Sequence, residues 1–193
     1  MNFFSVNLQS MLETLLLWGI YPLWLLAGAG DYVCHRLTDI AHTSGRGESW
    51  FHLMQFLALL IALAAGALLE VNAVVFGAMA ALVLIHSVLA HMDVSYTDGR
   101  RYISPLEQHI HGFMDVLPLV AVSLFGLLHW EAVSAVPNTH IVSLATPVPF
   151  GSILLVASFA ILAGTPILEE LWRTGRQRFE HERQSQAGLA TIK

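Results

Sequence analysis

The sequence predicts an all-α integral membrane protein, and three observations predict it. First, 55% of the 193 residues are hydrophobic and only 12% charged, with a mean hydropathy of +0.63, too apolar for a water-soluble domain. Second, five apolar runs, residues 12–30, 53–69, 73–91, 110–128 and 149–168, are each long enough to cross roughly 30 Å of hydrocarbon as a helix. Third, every Lys and Arg falls on one side of those runs. Arg36 and Arg46 separate the first two, Arg100 and Arg101 the third and fourth, and Arg173, Arg176, Arg178, Arg183 and Lys193 follow the fifth. The positive-inside rule then places the N-terminus outside and the C-terminus in the cytoplasm, which needs an odd number of spans. Lipid offers the backbone no hydrogen-bond partners, so the spans must be helices.

The expected organisation is one helical membrane domain over residues 1–172 and a cytoplasmic tail over 173–193. The N-terminus lacks a basic leader, so the first span is expected to be retained. A single cysteine, Cys34, excludes an internal disulfide and a multi-cysteine metal cage. The net charge of −5 and the placement of the arginines give no nucleic-acid signal.

Each span is then justified by its ends. The first runs on into a polar stripe, Asp31, His35, Asp39 and His42, which one continuous helix would present on one face. Thr43 to Gly47 breaks that helix, and Glu48 opens the next, with His52 and Gln55 following on the same face. The third span carries His86 and Asp93 seven residues apart, and His91 on another face. Ser104, Pro105 and Glu107 form a helix start with a capping-box pattern, after which His111 and Asp115 continue the stripe begun by Glu107. Pro118 cannot donate to the Met114 carbonyl, leaving a polar gap near Asp115. The fifth span has no such stripe and reads as a scaffold anchored by Trp172 and the arginines.

In an alternating bundle the end of span one, the start of two, the end of three and the start of four lie at one depth, near the cytoplasmic face. Four helices are therefore expected to surround a metal site. Its expected ligands are Asp31, His35, Glu48, His52, His86, Glu107, His111 and Asp115, with Asp39, His42, Gln55, His91, Asp93 and His109 around them. Ionisable groups are costly in a membrane, and mixed imidazole and carboxylate donors suit iron, manganese or zinc.

This arrangement resembles membrane-embedded diiron proteins and, more loosely, ferritin-like four-helix carboxylate sites. The run from His86 through His91, Met92, Asp93 and Tyr96 to Glu107, Gln108, His109 and His111 also looks like a bacterial family of multi-histidine membrane proteins. The spacing is E-x3-H where ferritin-like sites have E-x2-H, and the paired histidines of membrane desaturases are absent. The resemblance implies the bacterial inner membrane, two iron ions and an O2-dependent oxidoreductase acting on an apolar or lipid-like substrate, with a cytoplasmic electron donor. Two alternatives stand beside it: a zinc-dependent intramembrane lipid hydrolase, and a haem b or ion-conducting protein.

Overall fold

The structure is a computed structural model that describes residues 7–135 and 142–191. These residues are helical with no strand, apart from one isolated antiparallel bridge between Leu69 and Leu144. The five-span expectation holds: five helices are long and apolar enough to cross a membrane.

Helix α1 (Leu8–Thr14), a π-helical segment (Leu15–Ile20) and α2 (Tyr21–Leu37) run on as the first span. The next three are α3 (Arg46–Leu68), α4 (Ala73–Thr97) and α5 (Pro105–Leu128). After the short α6 (Trp130–Ser134), α7 (Phe150–Leu162) and the first half of α8 (Gly164–Thr191) form the fifth. Part of the expected external connection, residues 136–141, lies outside the described residues, as does Lys193.

Local chemistry sets the ends that matter. The first helix stops because Asp39 enters the left-handed region at φ 50°, followed by a 3-10 turn (Ile40–His42) whose Ile40 is wholly buried. Gly45, at φ 67° and ψ −148°, then turns the chain into α3; a side chain there would be strained. Between α4 and α5 the tight turn needs Gly99 at φ 76°, and Ser104 caps α5 by accepting from the Glu107 amide at 3.1 Å. Both turns reverse the chain at the same end of the molecule.

The helices pack as a ring. α3 lies against α4 on one side and against α7 and α8 on the other; α4 packs on α5, α5 on α2, and α2 closes the ring more sparsely against α8. Phe56, Leu59 and Ala62 of α3, Val83 of α4 and Phe159 of α7 form the apolar core, with Trp24 of α2 reaching the Phe159 ring at 4.8 Å. Only 11–22% of each span's apolar stretch is buried within the protein, so most of its Leu, Val and Ile side chains face outward. Such a surface is consistent with a lipid environment and with an integral membrane protein.

Candidate metal centre

The two turns bring the polar ends of four helices together, and α8 adds a fifth. Asp31 and His35 come from α2, Glu48 and His52 from α3, Asp93 from α4, Glu107 and His111 from α5, and Glu170 from α8. His35, Glu48 and Glu107 are at most 1% exposed, an extreme placement for charged and ionisable groups.

Asp31, His35, Glu107 and His111 form one group whose donor atoms lie within 4.8 Å of one another. The His35 Nε2 atom stands 3.5 Å from Asp31 Oδ1 and 3.5 Å from Glu107 Oε1. Those separations are too long for hydrogen bonds. They match two ligands about 2.1 Å from a shared tetrahedral ion, which stand about 3.4 Å apart. His111 Nε2 is 2.8 Å from Asp31 Oδ1, yet that oxygen has no aligned hydrogen-bond donor among the described residues. Neither have the two Glu107 oxygens, although Oε1 forms an ion pair with Arg101, and His35 Nε2 makes no hydrogen bond among the described residues. Four buried polar atoms thus face one another without satisfying one another.

Glu170 explains why His35 presents Nε2 inward. One of its oxygens is 2.9 Å from His35 Nδ1 and the other 2.7 Å from His52 Nδ1. A carboxylate at this distance accepts, so each Nδ1 carries the hydrogen and donates. The two rings stack with centroids 4.6 Å apart. A carboxylate behind a ring nitrogen is the usual means of orienting a metal-binding imidazole.

Arg101, on the turn between α4 and α5, supplies the positive charge. Its guanidinium, 2% exposed, reaches Glu48 Oε1 at 2.5 Å and Glu107 Oε1 at 2.6 Å. Burial works against that charge, but the carboxylates of Glu48 and Glu107 outweigh it and hold the guanidinium above its usual pKa range. Ser44 also donates to Glu48. His35, Glu48 and His52 make a second group of possible donors. Its members are more committed: Glu48 to Arg101 and Ser44, and His52 Nε2 to Asp93 Oδ2 at 3.0 Å.

Beside the cluster is a cavity of about 90 Å³, lined by His35, His52 and His86 together with Trp24, Phe56 and Phe159. It has room for a few water-sized molecules.

No protein-family model, curated protein or solved structure matches this chain. The arrangement therefore has to be read from its own geometry.

Six of the eight expected ligands fall into the two groups, and His86 and Asp115 do not. His86 Nε2 faces the Met114 carbonyl at 3.3 Å, the acceptor that Pro118 leaves without its helical amide. Asp115 accepts from Ser87 at 2.6 Å. Both residues therefore have partners that tie α4 to α5 beside the proline.

Of the residues expected around the ligands, Asp93 and Gln55 do adjoin them, with Gln55 donating to Asp93 at 3.3 Å. Asp39 and His42 pair with each other at 2.7 Å on the surface, because the left-handed Asp39 ends the stripe before it reaches them. His91 is exposed, and exposed His109 bonds back to the Pro105 carbonyl. The Glu107 carboxylate turns toward His35 and Arg101 instead of completing the capping box.

Reading the fifth span as a scaffold without polar residues in the site is corrected by Glu170, which is 2% exposed. It has no histidine one turn away on its own helix, so a search for i, i+4 pairs passes over it. Arg101, read as a topology signal, is also part of the cluster.

Proposed function

We propose that this protein is a membrane-embedded metalloenzyme whose ion is held by Asp31, His35, Glu107 and His111. Iron is the metal, and O2 the oxidant of an apolar, lipid-like substrate. The observation that carries the reading is the set of buried, unsatisfied atoms around His35 Nε2 at 3.5 Å spacings, behind which Glu170 holds both imidazoles. A divalent ion there would be neutralised by Asp31 and Glu107, with Glu107 giving up its ion pair with Arg101, which would stay on Glu48. Two imidazoles with two carboxylates suit iron. The adjoining cavity, about 90 Å³, is of a size for O2.

The apolar substrate would approach through the sparse seam between α2 and the α7–α8 pair, where Trp24, Gly28, Ala163 and Pro166 lead to that cavity. With the C-terminus cytoplasmic, the cluster lies near the cytoplasmic face, within reach of an electron donor. A second ion, as in the diiron resemblance, would take Glu48 and His52 and would require Arg101 to withdraw. The stacked rings of His35 and His52 leave no space for a porphyrin between them, which disfavours haem held by that pair.

Zinc keeps one observation in its favour, since the 3.5 Å spacings equally fit four-coordinate zinc and hence a hydrolase. Metal analysis of protein made with iron available, followed by O2 uptake and Mössbauer spectra of the ferrous form, separates the two. The oxidase reading expects iron and O2 consumption in the wild type, and loss of metal in His35→Ala and His111→Ala. Zinc alone, with no O2 uptake after iron reconstitution, would promote the hydrolase; wild-type protein that binds neither metal overturns both.

A further inference from the structure

The two groups of possible donors compete for one atom. His35 belongs to both, and its Nδ1 is held by Glu170 at 2.9 Å, so Nε2 is the nitrogen it offers to either. That nitrogen has one lone pair and binds one ion at a time. It stands 3.5 Å from Glu107 Oε1 and 3.7 Å from Glu48 Oε1. An ion on Asp31, His35, Glu107 and His111 therefore leaves the second group with Glu48 and His52 alone, and both of these already have other partners.

Glu48 is the more firmly held of the two. The Arg101 guanidinium meets it as a fork, with Nε 3.1 Å from Oε2 and Nη2 2.5 Å from Oε1, and Ser44 donates to Oε2 as well. A forked pair of charged groups is among the strongest contacts that side chains make. The same Nη2 lies 2.6 Å from Glu107 Oε1, so one nitrogen bridges an oxygen of each carboxylate. A divalent ion shared by those two carboxylates would stand in the same place, with bonds of about 2.0–2.2 Å. His52 is engaged too, with Nδ1 2.7 Å from Glu170 Oε1 and Nε2 3.0 Å from Asp93 Oδ2.

We propose that Arg101 is a built-in cation that fills the second metal position and limits the centre to one ion. The inference rests on the reading above, in which Asp31, His35, Glu107 and His111 hold that ion. When it binds, Glu107 turns from Arg101 to the metal, and the guanidinium keeps its fork on Glu48. A second divalent ion would face this guanidinium across Glu48, and like charges in a low-dielectric site repel strongly. Without Arg101, Glu48 becomes a buried carboxylate with no cation, a costly state that an ion relieves. Glu107 Oε1 beside it and His52, once released from Asp93, complete the second position.

The test loads the full chain in detergent anaerobically with excess ferrous ion, removes unbound metal by desalting, and counts iron per chain by elemental analysis. Wild type should hold one ion and Arg101→Ala two. The double variant Arg101→Ala/Glu48→Gln should return to one, because the second position has lost its carboxylate while the first keeps its four ligands. If Arg101→Ala does not fold, Arg101→Gln, which keeps polarity without charge, reads the same step. Two ions in wild type, one in the Arg101 single variants, or two in the double variant overturns the proposal. No ion in wild type is a different failure: it removes the metal reading itself, and this inference with it.

Discussion

At one end of the helix ring Asp31, His35, Glu48, Glu107 and Glu170 are each at most 7% exposed, and five helices meet through ionisable groups. At the other end α3, α4 and α5 meet through Phe76 against Gly126 and Met79 against Gly66, and the one acidic residue of that turn, Glu70, points out to Ser143 at 2.6 Å. The apolar end needs only shape: small residues let helices approach closely where lipid supplies no hydrophobic driving force. The polar end is different in kind. Each carboxylate removed from water costs several kcal/mol unless charge and hydrogen bonds compensate it. Stability at one end is thus spread over many weak contacts, and at the other it is concentrated in a few strong ones.

The largest expected effect breaks the polar end. Arg101→Ala leaves Glu48 and Glu107 buried without their cation and should destabilise the metal-free protein by about 3–5 kcal/mol, as removal of one partner from a buried pair does. Thermal unfolding in detergent measures it, with and without added metal. If the metal proposal holds, added divalent ion should recover much of the loss, and the metal content per chain should rise. An unfolding temperature equal to wild type would mean that the guanidinium does not hold that end together.

Next, Glu170→Gln keeps shape and removes the negative charge behind both imidazoles. Metal affinity should fall about 10–100-fold, read by competition with a chelator, while unfolding of the metal-free protein changes less than in Arg101→Ala. Gly126→Ala probes the apolar end. Its new methyl would stand 2.7 Å from the Phe76 ring, so stability should drop by about 1 kcal/mol, the lower end of overpacking costs, with metal binding untouched. Smallest of all, His42→Ala and His109→Ala remove exposed imidazoles and should stay within about 0.5 kcal/mol of wild type with full metal content. Loss of metal in either would blur the line between the two regions.

The apolar end and the number of spans were readable from hydropathy alone, because length and lack of charge decide them. The convergence of Asp31, His35, Glu48, His52, Glu107 and His111 was readable from spacing, since each pair lies one turn apart on its own helix. What spacing cannot register is a partner on another helix. Glu170 belongs to the cluster only through His35 and His52, Arg101 only through Glu48 and Glu107, and His86 is turned to a carbonyl that Pro118, inside α5, sets free. Asp39 and His42 failed for a local reason, a left-handed residue that ended the periodicity on which their place depended.

The position of Arg101 has a kinetic consequence. The other ionisable residues that meet in the cluster sit on helices, but Arg101 sits on the tight turn between α4 and α5, held by its own and the Arg100 amides to the Thr97 carbonyl at 3.3 and 2.9 Å. A turn of this kind opens at lower free energy than a packed helix. If the metal proposal holds, an arriving cation would displace the guanidinium by moving one connection and no transmembrane segment. Under the proposed reading, how fast the centre loads is governed by residues 98–104, and how tightly it holds what it has loaded is governed by the helices.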